Sequence, residues 1–152
     1  MAFTAQASNI ENYSTNASVD ITLSPSDAII EENNVRTGDS FSGTLNVSNT
    51  GSVDQYYFVS ANWSPRNYSS SLTTILANTL TVSVTADPDD DEASLYTGVL
   101  NDLIDQPASP GRELTLDTGE EDVQFTITLP EDAGNIVQAL DIDVDFIFVA
   151  VD

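Results

Sequence analysis

Twenty-five carboxylates, with no histidine and no cysteine, narrow the chemistry open to this 152-residue chain. Without histidine it lacks the side chain that most often does acid/base work near neutral pH. Without cysteine there is no thiolate to act as nucleophile or metal ligand, and no disulfide. Serine is abundant, but no imidazole is there to activate it. Carboxylates remain, and two stretches space them at intervals that chemistry uses. Asp87, Asp89 and Asp91 form D-x-D-x-D, the opening of an EF-hand calcium loop. The pattern then fails, because Glu92 stands where the turn glycine belongs and Gly98 where the bidentate glutamate belongs. The stretch therefore reads either as a looser calcium site on a β-loop or as a solvated acidic loop. Asp141, Asp143 and Asp145 share one face of a strand at ~7 Å spacing. Paired catalytic acids normally come from different elements across a cleft, so this ladder reads as a solvated face.

Asparagine supplies a second kind of site. Asn-x-Ser/Thr triplets occur at Asn12, Asn16, Asn46, Asn62 and Asn67, with Pro65 following the Asn62 triplet. In a secreted protein these are acceptors for N-glycans, and Asn12 and Asn16 in a polar stretch are the most accessible. No glycine-rich phosphate loop, HExxH or nucleophile elbow occurs. The expectation is a protein that is not an enzyme.

The elements that must position these residues are strands. Period-two alternation places Val19, Ile21 and Leu23 on one face, and does the same for Phe41, Gly43, Leu45 and Val47. It recurs at Leu80, Val82 and Val84, at Val123, Phe125, Ile127 and Leu129, and at Ile142, Val144, Phe146 and Phe148. A sixth run, VDQYYFVSANW, is aromatic-rich and predicts a strand partly covered on both faces. Turn signals separate the runs at RTGDS, NTGS, DPDDDE, PASPGR and PEDAGN. Helical turns are expected only around SLTTIL and within ASLYTGVLNDLI. This pattern predicts one all-β domain, an antiparallel β-sandwich of jelly-roll type. In the last strand the face opposite the core begins with the three aspartates and ends with Ile147, Val149 and Val151. That apolar half must be covered, by a loop of the same chain or by another subunit.

Three arginines, Arg36, Arg66 and Arg112, and no lysine leave a formal charge of −22. Such a surface repels phosphate backbones and anionic lipid, which excludes nucleic acid as a partner. It also repels itself until molar salt shortens the Debye length to about 3 Å. The composition suits a protein working in concentrated salt; the ordinary alternative is an acidic extracellular protein from a dilute habitat. No stretch reaches the ~20 apolar residues of a membrane span, so membrane insertion is not expected.

At the N-terminus, MAFTAQASNI alternates again, with Met1, Phe3, Ala5 and Ala7 on one face, and runs into the polar stretch NIENYSTNAS. Together with RTGDSFSGTLNVSNTGSVDQYYFV, LTVSVTADPDDDEASLYTGVLNDL, RELTLDTGEEDVQFTITLPEDAGN and NIVQALDIDVDFIFVAVD, this order of segments resembles the TasA/camelysin (CalY) family of secreted matrix-fibre proteins, including related archaeal bundling pilins. The likeness extends over nearly the whole chain. It differs at the start, where Phe3 is followed by Thr4-Ala5-Gln6 and not by an acidic residue. Some relatives are catalogued as metallopeptidases, an activity that does not carry over to a chain without histidine or a zinc motif.

The resemblance implies a subunit whose N-terminal strand is inserted into the sheet of the next, residues 1–16 serving as donor strand and polar tether and 17–152 as the sandwich. Met1, Phe3, Ala5 and Ala7 would fill pockets while the backbone completes a ladder. A head-to-tail contact that does not close generates an open filament. The expected partners are further copies of the chain and neighbouring filaments in bundles, at the cell surface or in a biofilm matrix. No cofactor is expected beyond a possible calcium ion at Asp87, Asp89 and Asp91. The alternative is a monomeric sandwich that binds carbohydrate or an adhesion partner on an aromatic platform of Tyr56, Tyr57, Trp63 and Tyr68.

Overall fold

The alternating runs assemble into two five-stranded sheets packed face to face. A computed structural model describes residues 1–13, 19–65, 70–135 and 137–152. In chain order the strands are β1 (Phe3–Tyr13), β2 (Ile21–Ser24), β3 (Ile30–Glu32), β4 (Ser40–Asn49) and β5 (Gln55–Pro65), followed after a short helix α1 (Ser70–Ala77) by β6 (Thr81–Ala86) and β7 (Ala93–Val99). Then come β8 (Arg112–Leu114), β9 (Glu120–Thr128) and β10 (Ile142–Val151). One sheet runs β3-β1-β10-β5-β8 and the other β2-β4-β9-β6-β7. Leaving aside β1 and β2, the orders β3-β10-β5-β8 and β4-β9-β6-β7 are those of a jelly roll, in which most connections cross between the sheets. The all-β sandwich expected from the alternation is therefore present.

Each alternating run puts its apolar face inward. In β10 Ile142, Val144, Phe146, Phe148 and Ala150 are buried while every intervening side chain is half-exposed. Val123, Phe125 and Ile127 of β9 face them from the opposite sheet. Phe125 stacks on Phe146 with ring centroids 4.0 Å apart and meets Phe148 edge-on at 6.2 Å. These contacts across the sandwich form the aromatic centre of the core. α1, where the sequence places a helical turn, buries Leu76 and Ala77 against it.

The helical turn expected within ASLYTGVLNDLI is confined to its second half. Residues 93–99 form strand β7, paired antiparallel with β6, and only Leu100–Asp102 make a turn of 3-10 helix. Leu95, Val99 and Leu103 have helical spacing, but the open edge of β6 pairs with six residues of the segment, the register slipping at Leu95. The departure from a purely antiparallel arrangement is β1, which runs parallel to β10; among the described residues it is the only parallel pair.

One polar cluster sits inside the sandwich. The Tyr57 hydroxyl donates to Glu121 Oε1 (2.6 Å), and Arg112 grips the same carboxylate through Nε (3.0 Å) and Nη2 (2.8 Å). Glu121 comes from one sheet and its two partners from the other, so the cluster ties the layers together with charge-assisted bonds. Burial, and secondarily the adjacent carboxylate, push the Tyr57 hydroxyl well above its ordinary pKa of 10.0. The unfolded chain then loses this proton at lower pH than the folded one. The cluster's contribution is complete below pH 10.0 and is lost as pH rises through the folded value. Urea midpoints measured from pH 8 to pH 11 should fall above pH ~10. Tyr57→Phe should flatten that alkaline limb; a limb equally steep in the variant would assign the loss to other groups.

Candidate functional site

The slot that β1 occupies is the most distinctive feature of the molecule. β1 lies between β3 and β10, with Phe3 opposite Glu32 on one side and Ile142 on the other. β3 accompanies it only from Phe3 to Ala5, whereas β10 follows it to Tyr13. Phe3 and Ala5 have no exposed surface and Ala7 is buried, so three of the four expected pocket-filling side chains enter the core. Met1, the fourth, is half-buried and packs against the same cluster. The Phe3 ring lies 5.2 Å from that of Phe41 in the opposite sheet. Thr4, Gln6 and Ser8 face outward, as period two requires.

Hydrogen bonds hold the first residues of the segment on both edges. The Met1 amino group donates to the Gln138 carbonyl (2.6 Å), the Ala2 amide to Asp141 Oδ1 (2.8 Å), and the Ile142 amide to the Ala2 carbonyl (3.1 Å). From the other side Val35 N–H donates to Met1 O (2.8 Å) and Ile29 N–H to Ala5 O (2.9 Å). The strand also continues through the polar residues assigned by sequence to a tether. The register slips by one residue between Asn9 and Glu11 and resumes to pair Tyr13 with Val151. Pairing needs only backbone groups, so polar side chains do not end the strand there.

The aspartate ladder lies beside this slot on the outer face. Asp143 sits between Thr4 of β1 and Ser64 of β5, and Asp145 between Gln6 and Asn62. These residues and Trp63 line a shallow depression of about 230 Å³. Asp145 accepts from the Ser8 hydroxyl (3.0 Å), which binds β1 to β10 through side chains as well. Asp141 and Asp145 thus serve as acceptors for β1 and the residue before it. At the far end of the same face Ile147, Val149 and Val151 are half-buried opposite Ser60, Phe58 and Tyr56, an apolar patch continuous across two strands.

The remaining sequence candidates do not converge. Asp87 has φ 52° and turns its carboxylate to accept from the Asp91 amide (3.4 Å), while its own amide donates to the Asp122 carbonyl (2.7 Å). Among the described residues no three acidic side chains gather at a metal-sized point. Asn46 is half-buried in β4 and donates to Asp122 Oδ1 (3.2 Å). Asn12 lies within β1 opposite Ala150, Asn62 is exposed on β5, and Asn16 and Asn67 fall outside the described residues. Of the aromatic platform, Tyr57 points into the core, Trp63 packs against it, Tyr56 donates to Glu113 (3.1 Å) on the surface, and Tyr68 lies outside the described residues. Sequence reading passed over the Glu121 cluster, for which a lone arginine in a nearly cation-free chain is the available signal. It also passed over β3, whose three residues, Ile30-Glu31-Glu32, are too few to show alternation.

Comparison of the chain with protein-family models finds no match, and comparison with curated proteins finds none either.

The odd side chains of β1 carry its seating. Phe3→Ala should lower unfolding free energy in molar salt by about 3–5 kcal/mol, whereas Gln6→Ala on the exposed side should change it by about 0.5 kcal/mol or less. Equal effects in urea titrations would mean that the slot is held by the backbone alone.

Proposed function

We propose that the chain is a secreted structural subunit, not an enzyme, that polymerises head-to-tail by donating its N-terminal strand into the next copy. The product is an extracellular filament, either a pilus or a biofilm matrix fibre. The observation that carries this reading is the placement of β1 as a parallel strand wedged between β3 and β10 of an otherwise antiparallel jelly roll. Among the described residues, the backbone and hydrogen-bond partners of β1 lie in residues 21 onward, and the intervening stretch STNASVD is polar throughout apart from Ala17 and Val19. The same strand from a second copy therefore makes the same contacts, which is the condition for a swap at low cost in free energy. Handing the strand onward in one direction leaves each copy with a vacated slot to be filled by the next, so the chain of contacts stays open. The resemblance to secreted matrix-fibre proteins agrees with this arrangement.

The surface charge of −22 would set how such filaments associate. Acidic fibres repel in dilute buffer and approach one another when salt or divalent cations screen or bridge the carboxylates. Bundle width compared at fixed ionic strength with and without calcium should be greater with calcium if bridging contributes. Equal widths would leave screening as the cause.

Donation itself is tested in a chain that has no cysteine of its own. Thr4 and Glu31 are directly paired between β1 and β3. The double variant Thr4→Cys/Glu31→Cys, polymerised in molar salt and then oxidised, should show filaments by negative-stain electron microscopy and a ladder of disulfide-linked multimers on a denaturing gel. Filaments that yield only internally linked monomers would move the joint elsewhere, to the apolar patch of Ile147, Val149 and Val151. Absence of filaments would favour a monomeric binding module.

A further inference from the structure

A strand held between two neighbours leaves or enters only if one neighbour gives way. The two neighbours of β1 are held very differently. β10 is paired with β5 from Ile142–Pro65 to Val151–Tyr56 and sinks Phe146 and Phe148 fully into the core. β3 pairs with β1 over three residues and, among the described residues, with no other strand. β3 is therefore the side that opens.

From this we infer that the segment 25–39, which carries β3, is a strap that lifts to admit or release the strand, and that Gly43 is the positioning residue that sets how firmly it closes. The inference rests on the donation reading and concerns how that same slot is regulated. The strap has two kinds of hold. One is to β1 itself, through the short ladder and the Ile29 and Val35 amides, and it is lost whenever β1 leaves. The other is to the body of the sandwich, through buried Ile30 and Val35 and half-buried Ile29, and at its C-terminal hinge through the Gly38 amide donating to Leu129 O (2.6 Å) and the Leu129 amide to Asp39 O (3.0 Å). The rest of the segment is largely solvated: Pro25, Ser26, Asp27, Glu31, Glu32 and Arg36 are exposed.

Gly43 makes the second hold possible. It lies within β4, where a glycine weakens a strand unless another backbone must come close. That close approach is present: a Cβ at this position would collide with the Ile29 carbonyl oxygen and stand 2.6 Å from Ile30 Cγ1. The strap thus rests directly on the β4 backbone, in a seat that any side chain would fill. A strap with few contacts of its own is the kind of unit that opens below the threshold for global unfolding.

The test uses the full chain in molar salt with two readouts, amide hydrogen exchange and uptake of a dye-labelled peptide of residues 1–13. Gly43→Ala should speed exchange at the Ile29 and Val35 amides and raise the rate of peptide uptake about tenfold, with β9 and β6 amides unchanged. Val35→Ala, which removes a buried anchor without touching β4, should act in the same direction and serves where Gly43→Ala does not fold. A variant whose strap is loosened but whose uptake equals that of the parent overturns the strap and leaves donation standing. Ile29 and Val35 amides that exchange only together with the core, in every variant, overturn it as well. No uptake by the parent or by any variant overturns donation and the strap together.

Discussion

The need of β10 for a backbone partner on the side away from β5, met by β1, is the constraint on which the rest of the molecule depends. The other side is fully engaged by β5, and the strand cannot move because its aromatic residues form the centre of the core. In a plain jelly roll β3 would complete the ladder. Here β3 is three residues long and stands one strand farther out, so an extended segment must fill the space between. A segment that fills it gains backbone partners on both sides over its first residues and buries Phe3, Ala5 and Ala7 at the same time. The slot asks for an extended strand with small or aromatic side chains at alternate positions. It does not ask which molecule supplies that strand.

Parallel pairing gives the slot its direction. A donated strand entering alongside β10 runs with it, so its polar exit always emerges at the same end of the sheet. In the proposed filament this would orient every subunit alike and keep the contact from closing on itself. The carboxylates of Asp141 and Asp145 belong to the same arrangement. They accept from Ala2 and Ser8, so acidic residues that look like bare surface charge in the sequence are partly engaged in holding β1 and the residue before it. The Glu121 cluster has a different task. It joins the sheets at the β8 side, away from the slot.

The alternating runs were legible because a half-buried strand must separate apolar from polar side chains, and five such runs appear as strands with the expected inward faces. Two regions were not legible for reasons that differ. In ASLYTGVLNDLI the apolar spacing fits a helix as well as a strand, and the free edge of β6 decided between them. In β1 the polar residues from Asn9 onward carry no alternation that marks a strand, because their place in the ladder comes from β10. The short β3 and the seat at Gly43 were invisible for a third reason, since a close backbone approach leaves no periodic trace.

Composition and periodicity by themselves determined that this chain is acidic and all-β, without thiol or imidazole chemistry, with a carboxylate repulsion that salt screens and a distinct alternating N-terminus. Those properties are local or additive, readable from residue types and their spacing. The parallel insertion of β1, the displaced β3 and the pairing of Glu121 with Arg112 and Tyr57 were decided only by tertiary structure. Each depends on which segments distant in the chain compete for the same backbone partners, and that competition is resolved only when both sheets are assembled.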